Sequence, residues 1–132
     1  MKILNLTQHL ATPDQIAAGV RDLSGWDLER LLKAITFESL PDAQEMLSRA
    51  RQIATLVHHY PVHTTRDNIY TLPAVMIGGA PYFMPMLQRV LVQEGCEVLY
   101  AFARRESVDT IAPDGSIHKT SVFRHAGFVS AA

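Results

Sequence analysis

Hydrophobic and polar positions change their period several times along the chain, and each change marks an element. Residues 2–6, KILNL, form a short apolar run almost at the first residue and predict a strand. Thr12 followed by Pro13 is a helix start: the hydroxyl caps, and proline's missing N–H costs nothing at the first helical position. Gln15 supplies the far side of a capping box, and Gly19 stops this short helix. Residues 20–23, VRDL, fit a second short strand closed by Ser24 and Gly25. Trp26, Leu28, Leu31, Leu32 and Ile35 then recur at helical spacing with charges between them. Pro41 and Asp42 open a longer amphipathic helix. Its apolar stripe runs through Met46, Ala50, Ile53 and Val57 to Tyr60, and Pro61 ends it.

Residues 62–72 are polar and predict a loop. PAVMI, 73–77, is continuously apolar, as a central parallel strand should be. It stops at Gly78-Gly79, and after Ala80 and Pro81 a helix runs to Glu94 and ends at Gly95. CEVLYAFA, 96–103, predicts another central strand. The remaining residues alternate around Asp114-Gly115, a turn signal that predicts a C-terminal β-hairpin. Strands alternating with helices predict an α/β domain over residues 1–132, its mostly parallel sheet covered on both faces.

Composition narrows the partners. The chain has 12 basic and 13 acidic residues, a formal net charge of -1, so no global field draws duplex nucleic acid or an anionic membrane. A small anion held in a local pocket is compatible with that balance. Cys96 is the single cysteine, which rules out an internal disulfide, and its apolar surroundings predict a buried, inert thiol. The N-terminal MKILNLTQH is too short and polar for a signal peptide, and no apolar stretch reaches the roughly 20 residues of a membrane span. A cytoplasmic location is the expectation.

In an open α/β sheet, ligands bind beyond the carboxyl ends of the strands, near the point where strand order reverses. That rule selects Thr7, Gln8 and His9 after the first strand, and Gly78, Gly79 and Ala80 after the central one. It also selects Arg104, Arg105 and Glu106 after the next. Gly-Gly-Ala leaves room for a phosphate to approach backbone N–H groups, and arginine forks suit phosphate oxygens. Thr7, Gln8 and His9 can donate hydrogen bonds or orient a hydroxyl. A glycine pair at such a turn also serves close packing, and an Arg-Arg-Glu run also serves a solvated strand end. His58, His59 and His63 are the remaining metal candidates, but adjacent histidines on a helix point to different faces. No metal site and no cofactor is expected. Arg124 and His125 interrupt an apolar strand in FRHAGFV, which is costly unless they reach an edge, a pocket or a partner.

The opening ILNLTQHLATPDQ, the MIGGAP turn and AFARRES leading into the hairpin together resemble the small, standalone CARF-like proteins of type III CRISPR systems and their phage counterparts, some of which are ring nucleases. The resemblance covers the strand framework over most of the chain and implies a Rossmann-like three-layer sandwich. It further implies a homodimer that binds a cyclic oligoadenylate over the carboxyl ends of the first and central strands. Some such proteins cut the ring without metal, by attack of a ribose 2′-hydroxyl on the adjacent phosphate. On this sequence the resemblance gives Thr7, Gln8, Gly78, Gly79, Ala80 and Arg105 to ligand binding, and His9 and Arg104 to catalysis. The GGAP turn itself carries neither lysine nor serine. Two other readings stand beside the enzyme: a protein that binds or sequesters such a nucleotide uncut, and a small dimeric interaction protein without a ligand.

Overall fold

The computed structural model describes residues 2–131. Its chain runs β1 (Ile3–Asn5), α1 (Pro13–Ala17), β2 (Val20–Asp22), α2 (Gly25–Ile35) and α3 (Ala43–Val57). It continues through β3 (Val62–Thr64), β4 (Ile69–Thr71), β5 (Ala74–Ile77), α4 (Met84–Gln93), β6 (Val98–Ile111) and β7 (Ile117–Ser130). Local signals account for several boundaries. Thr12 accepts from the Gln15 N–H while the Gln15 side chain accepts from the Thr12 N–H, the reciprocal capping box. Asp42 caps α3 by accepting from the Glu45 N–H at 2.7 Å.

Five strands form the main sheet in the order β2-β1-β5-β6-β7, the first four parallel and β7 antiparallel to β6. The chain steps from β1 out to β2 and then returns to β1's other side as β5. Strand order therefore reverses between β1 and β5. Alternate strand residues feed two core clusters. Leu4, Val75, Ile77 and Val98 pack with residues of α2, α3 and α4 in the larger one. Ile3, Val20, Ala74, Met76 and Leu99 form the smaller one on the opposite side, with partly buried Ala11 and Phe128 against it. Coverage is thus unequal: α1 is five residues long and buries none of them. The fold is mixed α/β on a mostly parallel sheet.

Two expectations change. Residues 62–72 are not a plain loop: β3 and β4 pair antiparallel, with Asn68 at φ 51° in the intervening turn. Val62, Thr64, Ile69, Tyr70 and Thr71 are β-formers, but β4 is exposed throughout, so no buried face imprints an alternation. The strand beginning at Val98 does not stop near Ala103. It continues to Ile111, because β7 supplies ladder partners from Leu99↔Ser130 to Ile111↔Ile117. Arg104 and Arg105 therefore lie in mid-strand and not at a strand's carboxyl end.

Candidate functional site

The edge between β1 and β5 is organised by a residue that periodicity alone passes over. Asn5 ends β1 and, among the described residues, is the one polar residue in the buried set, 3% exposed. Its side-chain amide donates to the His9 carbonyl and to Asp22 Oδ1, each at 2.8 Å. Its Oδ1 accepts from the Thr7 N–H at 2.9 Å and the Thr7 hydroxyl at 2.7 Å. All four hydrogen-bonding positions of the amide are used. Asp22, at the end of β2, also accepts from the Ala11 N–H at 3.0 Å. The loop after β1 is thereby tied at Thr7, His9 and Ala11 to the ends of two strands. A lone asparagine inside KILNL was the available signal.

This tying brings the loop to the glycine turn. Thr7, Gln8 and His9 line a cavity of about 400 Å³ with Gly78 and Gly79, and Gln15 and Tyr100 stand in the same wall. Gly79 has φ 149°, where a side chain is strained. Gly78 is different: a Cβ there would meet Thr7 Cγ2 at 3.6 Å, ordinary contact. Backbone conformation explains the glycine at 79, whereas neither conformation nor packing demands the one at 78. Gln8 reaches away to donate to the Thr36 hydroxyl at 3.1 Å, at the end of α2. His9 is exposed. The Thr7 hydroxyl has a single hydrogen, shared between Asn5 and the His9 carbonyl at 3.1 Å, so what it has left to offer is chiefly an acceptor.

One family model, that of the uncharacterized protein MJ1673 family, matches residues 1–129. The chain belongs to this family. No curated protein and no solved structure matches it. The match to the MJ1673 family takes in both walls of the cavity and nearly all of β7.

Other candidates lie elsewhere in this MJ1673-family chain. Ala80 packs against the larger core cluster, and its carbonyl accepts from the Phe83 and Met84 N–H groups, so it starts the turn into α4 and does not line the cavity. Arg104 and Arg105 are also outside it. Arg104 stands opposite Arg124 in the β6–β7 ladder, and Arg105 lies over the Phe123 ring at 5.4 Å. Met76 and Met84 are buried and Met86 packs against the core, as filling residues do.

The three clustered histidines have separate partners: His58 meets Glu94, His59 meets Asp27 and His63 meets Asn68. Among the described residues no three His, Cys, Asp or Glu side chains group to hold a metal. Cys96 is 6% exposed, and burial first, then Glu94, pushes its thiol up to about 11. No helix among the described residues is long and apolar enough to cross a membrane.

Proposed function

We propose that this protein binds a cyclic oligoadenylate, or another small nucleotide, between the loops that follow β1 and β5, and cleaves the ring without metal. One observation carries the reading. Thr7, Gln8 and His9 from one strand end converge with Gly78 and Gly79 from the next on a single cavity where strand order reverses. The glycine turn lets a phosphate approach the backbone, and Gly78 has no competing packing role. The fold behind the proposal is a Rossmann-like layered sandwich with the β6–β7 ribbon as its C-terminal hairpin, working as a homodimer in the cytoplasm.

In the proposed reaction a ribose 2′-oxygen attacks the neighbouring phosphorus and gives up its proton. The bond from phosphorus to the 5′-oxygen breaks, and that oxygen takes a proton. A 2′,3′-cyclic phosphate and a 5′-hydroxyl result. The turn and the pinned Thr7–His9 loop hold the in-line geometry. His9 is assigned the proton transfer, because Arg104 stands outside the cavity. Arg105 likewise leaves the phosphate to the glycine turn.

A second reading, binding without cleavage, has its own support: among the residues lining the cavity, His9 and Tyr100 alone are ionisable. Incubation with cyclic tetra-adenylate in EDTA separates the two. Linear products are expected, and His9→Ala should slow their formation about 100-fold or more. Binding without products establishes the second reading, and the absence of both binding and products rejects both.

A further inference from the structure

FRHAGFV, left unassigned by the cavity just described, faces a second one. About 520 Å³ in volume, it lies between α1 and the β6–β7 ribbon, and Asp14, Val108, Val122, Phe123 and His125 are among its walls. Thr12, Gln15 and Ala101 line both this cavity and the Thr7–His9 cavity, so the two adjoin.

A β-bulge sets this wall. Phe102 pairs with Gly127 but Ala103 pairs with His125, so Ala126 is an extra residue in β7. Gly127, at φ 144°, takes the strained position. Without the extra residue, alternation would put His125 on the opposite side of the ribbon from Phe128. With it, the two rings lie 4.7 Å apart. His125 Nδ1 is buried and has no hydrogen-bond partner among the described residues. Such an atom calls for an explanation, since an unpaired buried polar group is costly. Phe123 is 68% exposed, and the Arg105 guanidinium lies over its ring. Arg124 is held loosely, 3.9 Å from Asp14 and 3.7 Å from Glu106.

We infer that this second cavity is a nucleobase subsite, resting on the reading that a nucleotide phosphate occupies the glycine turn. The recognising chemistry is a mostly apolar slot with the exposed Phe123 ring in its wall for stacking. His125 Nδ1 meets a ring nitrogen, and the Asp14 carboxylate accepts from an exocyclic amino group. An aminopurine fits that pattern. Arg105 lies outside this cavity too, and its part is to back the Phe123 ring.

Binding of 5′-AMP and of ribose 5-phosphate, by calorimetry on the full chain, tests the subsite. The wild type should bind AMP at least ten-fold more tightly than ribose 5-phosphate. Phe123→Ala and His125→Ala should bring AMP down to the ribose phosphate level and leave ribose phosphate unchanged. Phe123 is exposed, so its removal keeps the test valid even where the histidine variant folds poorly. Equal binding of the two ligands by the wild type, or unchanged AMP affinity in the folded Phe123→Ala variant, overturns the base subsite and leaves the phosphate cavity standing. No binding of either ligand overturns both.

Discussion

Asn5 holds the loop after β1 with one amide and four hydrogen bonds, so its loss should loosen that loop at several points at once. Asn5→Ala strands the Thr7 N–H and deprives Asp22 of a donor, at a cost of about 2–3 kcal/mol in urea unfolding. Asn5→Asp keeps the shape but sets a carboxylate against Asp22 Oδ1, and should be no better. The glycine turn offers a cleaner dissection. Gly79→Ala forces a side chain into φ 149° and should cost about 1–3 kcal/mol. Gly78→Ala adds a methyl at ordinary contact distance and should change stability by less than about 0.5 kcal/mol. The same methyl would stand in the path of the proposed phosphate, so on that reading nucleotide binding should fall while folding does not. Equal nucleotide affinity in Gly78→Ala would show that the turn is not a ligand contact.

Elements were legible where burial imposes a period, and less so where it does not. The strand at PAVMI and the α3 stripe are buried on defined faces, so apolar spacing marks them. The outer part of β6 is exposed on both faces, and its extent follows from pairing with β7, a long-range fact that no local pattern encodes. That one difference moved Arg104 and Arg105 off the strand end, while the positions after β1 and β5 kept their place because short buried strands fix them.

A contact between α2 and the end of α3 was invisible for the same reason. Tyr60 donates to Asp27 at 2.7 Å, and His59 meets the same carboxylate at 3.2 Å. Burial first, then the bond to Asp27, pushes the Tyr60 hydroxyl up to about 12, and the Tyr60 bond chiefly holds the Asp27 carboxyl below its ordinary value. The unfolded chain loses a tyrosine proton near pH ~10. The tie's contribution is therefore whole below that pH and is lost as pH climbs towards 12. On the acid side, Asp27's contribution is present above the ordinary carboxylate range and disappears as pH falls through its lowered value. Tyr60→Phe should flatten the alkaline loss of melting temperature between about pH 10 and 11.5, read by circular dichroism. An unchanged alkaline slope would remove Tyr60 as its source.

At the scale of the molecule, the ribbon is the feature a lone chain leaves unfinished. β6 and β7 are 14 residues each, and the part of β6 beyond the bulge would reach about 30 Å at about 3.4 Å per residue. Two-stranded ribbons are marginal in water on their own. Ile111 and Ile117, paired beside the turn, are 78% and 67% exposed. A two-fold partner would cover these side chains with their own copies and give a symmetric ring two identical half-sites. The proposed homodimer should appear in light scattering at micromolar concentration as twice the 14.7 kDa chain mass. Replacing Ile111 and Ile117 together by lysine should yield a folded monomer, since neither side chain belongs to the core. Such a monomer should retain AMP binding, whose residues come from one chain, yet lose affinity for a cyclic tetramer that needs both half-sites. A wild type that is monomeric at micromolar concentration would reject the dimer. A dimer that binds no nucleotide would instead make the ribbon an interaction surface and the glycine turn a matter of packing alone.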